Sequence, residues 1–140
     1  MEYFKLIDIR WSDLDPNFHL RHSAYYDFGA YCRVAFMSQN GLGPDVLLAN
    51  NIGPILFREE CVFKRELHFG DKVKINLQLT KTTPDFSRWT MIHEIWKNDI
   101  ILAAIITVDG AWLDTGKRKL TVPPIDFKLV FDTVLTTGIM

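Results

Sequence analysis

Cysteine is scarce in this chain: only Cys32 and Cys61 occur among 140 residues. Each lies inside an apolar run without a metal-ligand partner at short spacing, so both read as reduced core thiols. Long apolar runs are also missing, and the longest, Ile100 to Val108, falls far short of the roughly 17 residues that a spanning helix needs. The opening Met1-Glu2-Tyr3-Phe4-Lys5 has no basic segment leading into an apolar stretch. These absences predict a cytoplasmic protein without a membrane partner. An excess of one charge sign is lacking too: 17 acidic and 16 basic residues leave a formal charge of -1, which provides no broad field to gather nucleic acid. No glycine-rich loop follows a strand, no serine stands in a nucleophile elbow, and no His/Cys/Glu spacing resembles a metal site, so neither a metal nor a cofactor is expected.

What is present is an ordinary globular composition, 48% hydrophobic and 24% charged, at a length that predicts one domain over residues 1–140. Tyr3 to Trp11 alternates loosely as a first strand, and the polar loop Ser12 to His22 follows. From Ser23, the expected N-cap, Tyr25, Phe28, Cys32, Ala35 and Phe36 share one face of a helix that should stop at Asn40-Gly41. Pro44-Asp45 opens a short helix to about Ala49. Strands are expected over Ile55–Phe69, Lys72–Thr80, Ser87–Lys97 and Ile100–Leu113, with Pro123-Pro124 ending the sheet region. The order predicts an α+β fold in which an antiparallel meander curls around one long helix, since only that arrangement buries both apolar faces. The other flank of the sheet, with Trp89, Trp96 and Trp112, would then call for a second subunit.

The loop before the helix concentrates polar groups: Arg10, Ser12, Asp13, Asp15, Asn17, His19, Arg21 and His22. A helix start carries unpaired N–H groups and partial positive charge, so it can hold a carboxylate and stabilise an oxyanion. The residues alone leave open whether these aspartates form turns or do chemistry.

The run Arg10-Trp11-Ser12-Asp13-Leu14-Asp15-Pro16-Asn17-Phe18-His19-Leu20-Arg21-His22-Ser23-Ala24-Tyr25-Tyr26 resembles the signature of the 4-hydroxybenzoyl-CoA thioesterase-like hotdog proteins. Asp15, His19 and Tyr25 match it in order and spacing, and Gly70-Asp71 and Asp114-Thr115-Gly116-Lys117 resemble the family's later turns. Two positions depart from it: Phe18 replaces a glycine, and Arg21-His22 replaces an Asn pair. The resemblance implies a hotdog fold and hydrolysis of a fatty or aromatic acyl-CoA. Asp15 would act as nucleophile or general base, the backbone N–H near His22 as oxyanion donor, and His19 as loop anchor or direct acid or base. Asp13 would orient the loop. Arg65, Arg88 and the run from Lys117 to Lys119 are candidates for the coenzyme phosphates, and Tyr25, Tyr26 and Phe28 for the acyl pocket or simply the core. A homodimer or a dimer of dimers is expected. The alternatives are a thioesterase for acyl carrier protein substrates and a non-catalytic module that binds acyl-CoA.

Overall fold

The computed structural model describes residues 2–136. Strand β1 (Phe4–Ile7) and a 3₁₀ turn (Trp11–Asp13) lead into the long helix α1 (His22–Gln39). A short helix α2 (Pro44–Ala49) follows, then strands β2 (Ile52–Phe63), β3 (Val73–Asn76), β4 (Gln78–Thr82), β5 (Arg88–Lys97), β6 (Ile101–Asp114) and β7 (Lys119–Leu120), and helix α3 (Ile125–Asp132). All the strands pair antiparallel in one sheet of order β1-β3-β5-β6-β2, with β4 on β5 and β7 on β6. This is the α+β hotdog architecture, a curled sheet around a central helix.

Helix α1 buries Tyr25, Phe28, Cys32 and Phe36 of the stripe that the spacing predicts, leaves its Ala35 half-buried, and adds Ala24, Gly29 and Met37. Its N-cap is Arg21 rather than Ser23, and no side chain closes it; Ser23 instead accepts a hydrogen bond from the Arg21 guanidinium. The helix ends as expected, with Asn40 as C-cap and Gly41 at a φ of 79°. Gly29 permits a close approach to the sheet, because a Cβ there would stand 3.3 Å from His93 and 3.4 Å from Ile106.

Four expectations need correction. The first strand is shorter than Tyr3–Trp11, because the Asp13 carboxylate folds back on the Arg10 N–H and side chain and winds the chain into the 3₁₀ turn. The strands do not form a meander: β2 pairs with the far strand β6, and β3 crosses back to lie between β1 and β5. The alternation over Lys72–Thr80 covers two strands, β3 and β4, rather than one. At the break Asn76 is buried; its side-chain Oδ1 takes the Glu94 N–H (2.6 Å) while its own carbonyl accepts from His93 Nδ1 (2.7 Å). Side-chain bonding thus replaces the ladder for one step. Finally, Trp89 and Trp112 are not left on an uncovered flank. Both are buried, and Trp112 packs edge-on against Phe127 of α3, a helix that the sequence reading did not contain.

One run of exposed apolar side chains lies along β2: Leu56, Phe57, Val62 and Phe63. Among the described residues no strand pairs with the free edge of β2. Beneath α1, Arg33 donates to His93 Nε2 (2.9 Å), and the Glu59 carboxylate lies 3.9 Å from the same guanidinium. Burial, and then the Arg33 charge, push the His93 imidazole down to about 3. The ring is therefore neutral, with Nδ1–H donating to Asn76 and the Nε2 lone pair accepting from Arg33.

Candidate active site

The loop between the 3₁₀ turn and α1 is a tight hairpin. Leu14 and Leu20 form an antiparallel bridge, and the Asp15 N–H donates to the His19 carbonyl (2.8 Å). At its tip the Asp15 Oδ1 accepts from the N–H of Asn17 (2.8 Å) and of His19 (3.1 Å), an Asx turn that fixes the carboxylate by its own backbone. Among the described residues Oδ2 has no hydrogen-bond donor, so one oxygen is tethered and the other is available. Phe18 takes a φ of 65°, the left-handed conformation that explains why the resembling family has glycine at this point.

Asp13 does a different task two residues earlier. It is 1% exposed and holds Arg10 through Nε (3.2 Å), Nη2 (2.9 Å) and the backbone N–H (2.9 Å). The hydrogen bonds from Arg10 keep its carboxyl below the usual carboxylate range against the opposing effect of burial. Its carbonyl accepts the Arg21 N–H (2.8 Å), which ties the loop to the helix start.

A cavity of about 350 Å³ opens beside this hairpin, lined by Asp15, His19, Leu20, His22, Tyr25, Phe63, Lys64, Arg65 and Glu66. The His22 and Ser23 N–H groups belong to the first turn of α1, where no intrahelical acceptor exists. Tyr25 is buried and packs edge-on against Phe63, with ring centroids 4.9 Å apart. Burial, more than neighbouring charge, pushes its hydroxyl up to about 12, so it stays a neutral donor. Arg65 turns its guanidinium onto the Lys64 carbonyl (2.8 Å), and both residues' N–H groups donate to Ala103, which anchors two cations at the end of β2.

Asp15, His19, His22, Tyr25 and Arg65, all singled out in the sequence, therefore meet around one cavity. The remaining three do not join them within this chain. Tyr26 is half-buried outside the lining. Arg88 opposes Ala111 near the other end of β6 and stacks over Phe57 at 5.4 Å. Lys117 lies in the exposed turn after β6, which Asp114 Oδ1 caps through the Gly116 and Lys117 N–H groups. The sequence reading missed Lys64 and Glu66, although both lie shortly before the Gly70-Asp71 turn that carried part of the resemblance, and Phe63, whose exposure on an edge strand no alternation reveals.

The sequence profile of the thioesterase-like superfamily matches residues 9–131. Comparison with curated proteins finds no relative. Among solved structures the chain is similar to a hypothetical protein from Staphylococcus aureus in complex with CoA, with a TM-score of 0.88 and 17% identity over 100% of this chain and 89% of that one. It is similar to a DHNA-CoA thioesterase from Staphylococcus aureus, TM-score 0.84 and 16% identity over 95% of this chain and 90% of that one. A 1,4-dihydroxy-2-naphthoyl-CoA thioesterase from Synechocystis superposes with a TM-score of 0.84 and 15% identity over 94% of this chain and 96% of that one. Among the described residues no helix is long and apolar enough to cross a membrane.

Proposed function

The chain belongs to the thioesterase-like superfamily, and from that premise we propose that it hydrolyses acyl-CoA thioesters at the cavity beside Asp15. The observation that carries the reading is the Asp15 carboxylate, tethered through Oδ1 and free at Oδ2, on the wall of a cavity that also touches the start of α1. A thioester carbonyl placed there meets an anion and the unpaired N–H groups of the first helical turn, which take up the charge that develops on the carbonyl oxygen. Asp15 either attacks the carbonyl carbon, expelling the thiolate and leaving an anhydride for water, or removes a proton from an attacking water. His19 and Asp13 hold the loop in place.

Lys64 and Arg65 at the rim suit the coenzyme phosphates. Arg88 and Lys117 reach such a site only from a neighbouring subunit. A homodimer through the open edge of β2 accounts for the exposed Leu56, Phe57, Val62 and Phe63, and it brings a second chain to Phe63, which is itself part of the cavity wall. The similarity to two thioesterases for dihydroxynaphthoyl-CoA directs the first trials to aromatic acyl groups, which the walls formed by Tyr25 and Phe63 would flank.

The test is thiol release from a panel of aromatic and fatty acyl-CoAs and from matched acyl thioesters without the nucleotide. Hydrolysis is expected, with a higher kcat/KM for the CoA esters that falls in the double variant Lys64→Ala, Arg65→Ala. Absence of turnover with every acyl-CoA would refute the reading.

A further inference from the structure

His19 belongs to the loop before α1 and His68 to the segment between β2 and β3, yet an isolated antiparallel bridge places them opposite each other. The adjacent Leu20 N–H donates to the Leu67 carbonyl (2.8 Å) and fixes that pairing. Opposed residues in an antiparallel pair hold their Cβ atoms about 4.5–5.5 Å apart, and here the two imidazole centroids lie 5.1 Å apart with the rings near perpendicular. Glu66 serves both rings: its Oε2 stands 3.3 Å from His19 Nε2 and 3.7 Å from His68 Nε2. The three atoms all lie within 4.8 Å of one another.

A zinc-class ion bound at about 2.0–2.2 Å in tetrahedral geometry separates its ligand atoms by roughly 3.3–3.5 Å. Two edges of that triangle are already close to this length. An ordinary ion pair would need only one histidine beside Glu66, whereas here both Nε2 atoms turn toward the same carboxylate oxygen. There is also an outer partner. The other nitrogen of His68, Nδ1, faces Asp71 Oδ2 at 3.7 Å, and that carboxylate is itself held by the His68 N–H (2.7 Å) and by Lys97 Nζ (3.5 Å). A carboxylate on the side of the second ring nitrogen favours the tautomer protonated at Nδ1, which leaves the Nε2 lone pair for a metal.

We propose that His19, Glu66 and His68 form a binding site for a divalent first-row transition ion of the zinc class, at the mouth of the Asp15 cavity. Two imidazoles and one carboxylate favour such ions over the all-oxygen coordination of magnesium or calcium. Three protein ligands leave a fourth position open. Because His19 and Glu66 also line the Asp15 cavity, the site adjoins it. Short-range spacing conceals the site in the sequence, since Glu66 and His68 are two apart while His19 arrives from the other side of α1 and β2.

The site is tested by titrating Zn²⁺ into the metal-free protein calorimetrically, with competition against a chromophoric chelator and no thioester present. One Zn²⁺ per chain is expected, no heat with Mg²⁺, and a Co²⁺ derivative with a visible d–d band. Asp71→Asn should weaken Zn²⁺ about 10- to 100-fold, and His68→Ala and His19→Ala should each weaken it more. His68 is half-exposed and outside the cavity lining, so His68→Ala should fold normally by circular dichroism and retain its metal-free activity. A wild-type affinity that His68→Ala leaves unchanged, or no Zn²⁺ binding in the micromolar range, would overturn the proposal. The titration contains no substrate, so its failure and the failure of the hydrolytic reading are separate results.

Discussion

Acid should unfold this protein through His93, and the size of the effect follows from its surroundings. The ring is fully buried between Arg33 and the Asn76 carbonyl, and the Arg33 bond needs the neutral form, since a protonated Nε2 cannot accept from a guanidinium. An unfolded chain takes up a proton at His93 below about pH 6.5, whereas the folded protein resists until about 3. Between those values the unfolded state holds more protons, so stability rises with pH and is lost as the pH falls. Each pH unit of that window is worth about 1.4 kcal/mol, so the whole window amounts to on the order of 5 kcal/mol. That is a large part of the roughly 5–15 kcal/mol that holds a domain folded. Urea unfolding followed by circular dichroism at pH 7, 6, 5 and 4 measures the slope directly. His93→Gln cannot reach both partners and should lose about 1–2 kcal/mol at pH 7. It carries no titrating proton, however, so its stability should fall less steeply with acid than the wild type's. Parallel slopes for the two proteins between pH 6 and 4 would refute the assignment of a neutral buried imidazole.

Other outcomes follow from the loop and the sheet. Asp15→Asn keeps the Oδ1 acceptor for Asn17 and His19 but removes the charge, so kcat for the best acyl-CoA should drop at least about 100-fold with an unchanged circular dichroism spectrum; near-normal turnover would remove Asp15 from the chemistry. Asp13→Asn should spare most turnover and cost about 1–2 kcal/mol, the low end for a charged hydrogen bond because the Arg10 partner is mostly exposed. Its carboxyl is depressed below the usual 3.8, so that contribution is complete above pH 3.8 and vanishes as the pH falls through the lowered value, which thermal melts at pH 7 and 3 would reveal. Gly110→Ala should destabilise by about 1–3 kcal/mol, because a Cβ there would stand under 3.0 Å from the Trp89 ring and the Ile55 carbonyl; denaturant midpoints would show it. Leu56→Lys with Val62→Lys should turn a dimer into monomers in light scattering, and a wild type that is already monomeric at micromolar concentration would remove the β2 interface.

The helix stripe and the Asp15 loop were legible in the sequence because both are local: one is a periodicity, and the other is a motif whose spacing survives in a hairpin. Topology was not legible. The strand-like content of Ile55–Phe69 announces a strand, but not that it pairs with β6 instead of β3. Asn76 alternates with Ile75 and Leu77 as an outward polar residue would, yet it is buried because its amide substitutes for a backbone bond. Helix α3 had a readable signal in Phe127, Val130 and Phe131 after Pro124, at helical spacing. Its consequence for Trp112 was not readable, since only packing decides what covers a tryptophan. Arg88 and Lys117 were chosen for charge alone, and charge does not say at which end of a strand a residue lies.

The Arg33 contact beneath α1 also determines an orientation. Successive residues of a helix are rotated by about 100°, so a shift of α1 by a single residue would swing the guanidinium away from His93 and Glu59 and strand it against apolar side chains. The helix accordingly has one permitted azimuth. His22 lies about three turns upstream on the same rigid rod, and the direction of the first-turn N–H groups is set along with it. The bearing of the proposed oxyanion donors toward Asp15 is thus fixed from the middle of the helix. A change at Arg33, far from the cavity and touching no substrate, would act on hydrolysis as a rotation.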